Sequence, residues 1–213
     1  MITQNPYRSH GLLGVDLGKV KDYTVISGIE RQTYPDKVMY AVGEVVQMKL
    51  QTPYPVIKDA IVKAYHVLRT RYGNCKIIID TTGVGMPVVD TLRNDNYIKR
   101  DLEPINITGG NNISLGQGYL NVPKSHVVDA ALLAFHNKRI MLHPGIPLNE
   151  KIKEEFLGFH MKIKSDSGHT SYESGKDSEH DDIVLSICLA IWWGEYNKAK
   201  ISHYRHESNT ERW

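Results

Sequence analysis

Strand-like patterning dominates the first quarter of the chain. Gly11–Gly18 (Gly-Leu-Leu-Gly-Val-Asp-Leu-Gly) is an apolar run closed by glycine, and it predicts a buried strand with an acid near its end. Lys19–Asp22 forms a polar turn. Tyr23–Glu30 and Lys37–Lys49 are rich in β-branched and aromatic residues and are separated by the Pro35-Asp36 turn, so three strands follow one another as an antiparallel meander. The period then changes. From Pro55, the positions Val56, Ile57, Ala60, Ile61, Ala64, Tyr65 and Leu68 recur at helical spacing up to a capping Gly73. Cys75–Asp80 reads as a short central strand, Pro87–Arg93 as a helix and Leu102–Thr108 as a further strand, so this half is parallel.

Gly109–Gly118 is a loop of Gly, Asn and Ser, after which Pro123 opens a helix through Phe135. Arg139–Leu142 predicts a strand and Pro147–Leu157 a helix. Phe159–Lys164 and His169–Glu173 flank Ser165-Asp-Ser-Gly168 as a β-hairpin in the C-terminal half. The last helix, Asp181–Tyr196, is apolar nearly all round and therefore buried. The expected organisation is an N-terminal extension (1–10), one α/β domain (11–197) and a mobile polar tail (198–213).

Composition narrows the options. The chain has 213 residues, 41% hydrophobic, with 26 Lys and Arg against 24 Asp and Glu. That balance excludes a polybasic mode of binding, so any nucleic-acid surface must be a local patch. Cys75 and Cys188 stand in separate apolar runs and read as reduced core residues, and the ten His match no zinc-ligand spacing. No apolar run is long enough to cross a bilayer and no signal core opens the chain, so a soluble intracellular protein is expected.

The chemistry is in the acids. Asp16 closes the first strand, Asp80 closes the central strand, and Asp181-Asp182 open the most apolar helix of the chain. Each has a bland explanation as a turn or cap, including a capping box between Ser178 and Asp181. Together they fit another. In an open α/β sheet, active groups gather at the carboxyl ends of adjacent strands, and there several carboxylates would repel unless hard cations held them. Mg²⁺ or Mn²⁺ suits such ligands, and two ions suit a phosphodiester displacement. Adjacent helical residues differ by about 100°. Asp182, which shares its row with Ser186, is therefore the closer ligand, and Asp181 serves a second ion or supports the ligands. His180 and Ser186 are candidates to orient them. Lys124, at a helix start, is the first choice for a phosphate contact, ahead of Lys19 and Lys21; Arg139, Lys162 and Lys164 are further cations expected near the cleft.

The ordered series Gly14-Val-Asp16-Leu-Gly18, Ile77-Ile-Ile-Asp80-Thr-Thr-Gly83-Val-Gly85, Val122-Pro-Lys124 and His180-Asp181-Asp182-Ile-Val-Leu-Ser186 resembles the C-terminal nuclease domain of large terminase subunits from tailed phages. The resemblance covers about Gly11 to Tyr196. It implies a ribonuclease H-like, resolvase-type mixed central sheet flanked by helices, and metal-dependent cleavage of duplex DNA with little sequence preference during genome packaging. Matched residue by residue, the family's acids fall on Asp16, Asp80 and the Asp181-Asp182 pair, and Val122-Pro-Lys124 falls near the segment that approaches DNA. The resemblance also implies an N-terminal ATPase domain, a small terminase subunit and a portal protein as partners, in the host cytoplasm and with no membrane. The sequence has no Gly-x-x-x-x-Gly-Lys-Ser/Thr loop, so an excised domain that cuts without pumping is expected. Competing readings are an actin-like or sugar-kinase-type ATP-binding domain, a resolvase or transposase core, and an inert DNA-binding scaffold.

Overall fold

A computed structural model describes residues 8–18, 22–83, 85–161 and 181–210; for 158–161 and 197–210 it describes the backbone alone. The meander forms as β1 (Arg8–Asp16), β2 (Val25–Thr33) and β3 (Val38–Gln47), paired antiparallel. α1 (Tyr54–Tyr72) follows and stops at Gly73, whose φ of 77° is the left-handed conformation that a glycine C-cap supplies without steric cost. Then come β4 (Cys75–Asp80), α2 (Met86–Arg93) and β5 (Leu102–Thr108).

Two short strands interrupt what reads as loop. β6 (Ser114–Leu115) lies inside the Gly-Asn-Ser stretch and pairs antiparallel with β7 (Leu120–Pro123), which runs parallel to β5. α3 (Lys124–His136), β8 (Ile140–Leu142), α4 (Asn149–Met161) and α5 (Asp182–Thr210) complete the described elements. Phe159–Met161, expected to begin the hairpin, are instead the end of α4; the rest of that hairpin lies outside the described residues. The backbone of α5 runs on to Thr210, into the stretch read as a tail.

The sheet order is β6-β7-β5-β4-β1-β2-β3-β8. β1 is central, antiparallel to β2 on one side and parallel to β4 on the other, in the register Leu13↔Ile77 and Val15↔Ile79. Alternation along a strand sorts its side chains between two layers. Leu13, Val15, Ile77 and Ile79 face a core shared with Ile57, Ile61 and Tyr65 of α1 and with Val89 and Leu92 of α2. Leu12 and Ile78 face the other core, with Val127 of α3, Ile152 of α4 and Ile183, Ile187 and Leu189 of α5. Gly14 stands in the row of Leu12. A methyl carbon there would lie 1.9 Å from the Ser186 carbonyl oxygen, so α5 rests directly on the β1 backbone. The Ser27 and Ser186 hydroxyls, 2.6 Å apart, join β2 to the same helix turn.

Fully burying a side chain of Leu or Ile size contributes roughly 1.5–3 kcal/mol. α5 places Ile183, Ile187, Leu189 and Ile191 wholly inside. That is enough to hold down a helix whose first residue is a buried acid. Cys75 and Cys188 are free and buried, with burial pushing both thiols up to about 12. Among the described residues, no helix is long and apolar enough to cross a membrane.

Candidate active site

Asp16 and Asp80 end neighbouring parallel strands, one residue beyond the paired Val15 and Ile79. Asp16 continues the row of Leu12 and Gly14, and Asp80 the row of Ile78, so both belong to the face that α5 covers. Asp182 is the first residue of α5. All three acids are buried. Burial first, and then the charges of Asp80, Asp182 and Asp181, hold the Asp16 carboxyl well above the usual carboxylate range; Lys124 opposes this. Burial also raises Asp80, against hydrogen bonds that favour its charged form. Asp16 and Asp80 thus end side by side, and Asp182 and Asp181 are near enough for their charges to act on Asp16.

Each acid is held differently. Asp80 Oδ1 accepts the Thr82 amide at 2.8 Å and the Thr82 hydroxyl at 2.6 Å, while Thr82 Oγ1 accepts the Ile107 amide of β5 at 2.9 Å. Asp182 Oδ2 accepts the Tyr23 amide at 3.1 Å. Asp181 Oδ2 lies 3.2 Å from Lys124 Nζ. Lys124 follows β7 immediately, so the strand missing from the sequence-based reading is what carries this cation to the acidic edge. Among the described residues, no three His, Cys, Asp or Glu side chains stand close enough together to hold an ion. Three buried carboxylates from three elements, with Asp181 and the Lys124 ammonium beside them among the described residues, are the oxygen-rich kind of donor set that hard cations take.

Other expected residues fall elsewhere. Ser186 is fully buried and bonds Ser27 and the Ile183 carbonyl, so its hydroxyl anchors α5. Arg139 is not beside the acids. It precedes β8, which runs parallel to β3, and that direction puts it at the opposite edge of the sheet, where it pairs with Glu195 at 2.7 Å. Lys19, Lys21, Lys162, Lys164, His180 and Ser178 lie outside the described residues.

One residue was missed. Glu155 of α4 is buried, and its Oε2 accepts the Val184 amide of α5 at 3.2 Å. Burial pushes its carboxyl up to about 7, with Asp182 adding to the effect and Lys151 opposing it. The run Lys-Ile-Lys-Glu-Glu-Phe looks like a solvated face. The available signal was spacing, because Glu155 stands three residues after buried Ile152 and one before buried Phe156.

A mixed sheet with antiparallel β1–β3, parallel β4 and β5, and acids converging under a final helix defines the ribonuclease H-like class. Within that class, residues 13–192 match the family model for the terminase RNaseH-like domain, and the chain belongs to that family. It is similar to the large terminase nuclease from thermophilic phage G20c, at 18% identity and a TM-score of 0.52 over 87% of this chain and 84% of that one. The g2p large terminase nuclease domain of bacteriophage SPP1 with bound Mn aligns at 14% identity and 0.54, over 89% and 86%. The Mn-soaked human cytomegalovirus terminase nuclease domain aligns at 10% and 0.55, over 90% and 86%. At these identities the likeness establishes the fold. Comparison with curated proteins finds no match.

Proposed function

We propose that this terminase nuclease domain is a metal-dependent endonuclease that hydrolyses phosphodiester bonds of duplex DNA with little sequence preference. The observation that carries the reading is the placement of Asp16 and Asp80, each one residue past the last paired position of two adjacent parallel strands, on the face covered by the helix that begins at Asp182. Asp16, Asp80 and Asp182 would hold Mg²⁺ or Mn²⁺, with Asp181 beside them. The SPP1 and cytomegalovirus domains, described with Mn, support divalent metal use. Two such ions would supply an activated water and stabilise the leaving oxygen. The protein's own part is positional. Thr82 fixes one oxygen of Asp80, the Tyr23 amide fixes one of Asp182, and Lys124 places positive charge where a phosphate would lie.

In the full-length protein, the expected companions are an N-terminal ATPase, a small terminase subunit and a portal protein, acting in the host cytoplasm. The domain by itself needs no nucleotide in this scheme. It should convert supercoiled plasmid to nicked and linear forms with Mn²⁺ or Mg²⁺, with or without ATP, and should stop in EDTA. Full cutting in EDTA, a strict need for ATP, or undiminished cutting by Asp80→Asn would each overturn the reading.

A further inference from the structure

Asp181 occupies the N-cap of α5. It precedes the first helical residue, and its carbonyl accepts the first intrahelical bond, from the Leu185 amide at 2.9 Å. An Asp in that position ordinarily turns its side chain back onto the amides two and three residues ahead. Here those amides belong to Ile183 and Val184. The Val184 amide donates to Glu155 Oε2 at 3.2 Å. Asp181 Oδ2 points elsewhere, to Lys124 Nζ at 3.2 Å.

We propose that Glu155 is an N-cap for α5 supplied from α4, a positioning residue that frees the Asp181 carboxylate from its own helix and leaves it facing Lys124 and the acidic edge. Helix stability alone does not account for Glu155. Asp181 is already in place to cap, at a partly exposed position. Glu155 is only 7% exposed, and its Oε1 is buried with no hydrogen-bond partner among the described residues. Burying a second acid to do what the first could do is unfavourable in itself. It becomes useful when the first acid is needed elsewhere, and the Lys124 pair shows where. The proposal rests on the nuclease reading only for why the edge needs Asp181.

The test uses the whole metal-free chain, with amide hydrogen exchange at Ile183 and Val184 followed by NMR and Mn²⁺ affinity by calorimetry. In Asp181→Ala, Val184 protection should stay within about twofold of wild type, because Asp181 does not cap. A tenfold loss of protection there overturns the proposal, and this measurement needs no change at Glu155. Glu155→Gln keeps an acceptor for Val184 and should retain both protection and affinity. Glu155→Met keeps the volume and removes the acceptor, so Asp181 should swing back to cap. Val184 protection then persists in Glu155→Met but falls at least tenfold in Glu155→Met/Asp181→Ala. Mn²⁺ affinity should drop about as much in Glu155→Met as in Asp181→Ala, with no further drop in the double variant. Losses that multiply, or a Glu155→Gln protein as weak as Glu155→Met, would refute it. Exchange is read without metal or DNA, so it decides this point even if the chain fails to nick plasmid.

Discussion

Replacing Gly14 by alanine should damage the site without touching an acid. The added methyl carbon would stand 1.9 Å from the Ser186 carbonyl oxygen and 2.9 Å from its carbon. An ordinary C···O contact is about 3.3 Å, so β1 and α5 must separate locally by about 1.4 Å. The nearest atoms belong to a helix backbone, which cannot swing aside as a side-chain tip would. Overpacking of this kind costs about 1–3 kcal/mol, and each kcal/mol lowers the melting temperature by about 2–4 °C in a domain of this size. The functional effect should be larger. Asp16 lies two residues along the same face of β1, and Asp182 lies one turn before Ser186, so the forced gap opens between the two acids. A displacement of about 1 Å at a catalytic centre can cost roughly 100-fold in rate. Gly43→Ala is the control, because a methyl carbon there would meet only the Gly28 carbonyl, at 3.9 Å. Circular dichroism melts and plasmid nicking with Mn²⁺ should be run on both variants. If Gly14→Ala is as stable and as active as Gly43→Ala, then close contact between α5 and β1 does not set the geometry of the acids.

Three further expectations follow from the same edge. Asp16→Asn, Asp80→Asn and Asp182→Asn should each bring nicking to background while leaving the metal-free melting temperature equal or higher, since each removes repulsion from a desolvated cluster; a lowered melting temperature with retained cutting would contradict the assignment. Metal-free stability should fall as pH rises. Glu155 holds its proton up to about pH 7 in the folded chain against an ordinary value of 4.5, so its favourable contribution is complete below about pH 4.5 and is lost as pH passes through about 7. At ~1.4 kcal/mol per pKa unit this amounts to roughly 3 kcal/mol, and Asp16 and Asp80 act in the same direction; a flat profile between pH 5 and 8 would exclude it. Lys124→Ala should weaken binding to duplex DNA equally across sequences and reduce the dependence of log affinity on log salt by about one, which fluorescence anisotropy at several salt concentrations can measure.

Much of this was legible in the sequence because the central strands are short, apolar and closed by Gly or Asp. Cys75–Asp80 and Leu102–Thr108 have the bounds their composition suggests. The convergence of Asp16 and Asp80 needed only the assumption that β1 and β4 are neighbours. β7 was not legible, because four residues ending in proline carry little periodicity, and its strand character comes from pairing with β5. Arg139 was misplaced for a related reason. The direction of β8 is set by pairing with β3, and local sequence does not encode which end of a three-residue strand faces the acids. Glu155 sits among lysines and glutamates whose solvated appearance hides one buried position. The partner of Lys124 is a tertiary fact, fixed only when α3 and α5 begin at the same edge.

The order of elements along the chain also bears on how the domain comes to exist. β1 and β2 pair with their immediate successors, whereas β4 reaches β1 only after β2, β3 and α1, and β8 reaches β3 only after α3, so the meander closes through local contacts and its neighbours on either side do not. The helix that brings Asp181 and Asp182 to Asp16 and Asp80 lies more than a hundred positions downstream of Asp80. Contacts that distant are slow to form, since chain entropy is lost before they contribute. The repulsion among the acids is therefore met late, after the apolar layer that receives Ile183, Ile187 and Leu189 has been built. A nascent chain that has not yet delivered α5 carries Asp16 and Asp80 without Asp181 and Asp182, and without the helix that supplies much of the core on that face of the sheet.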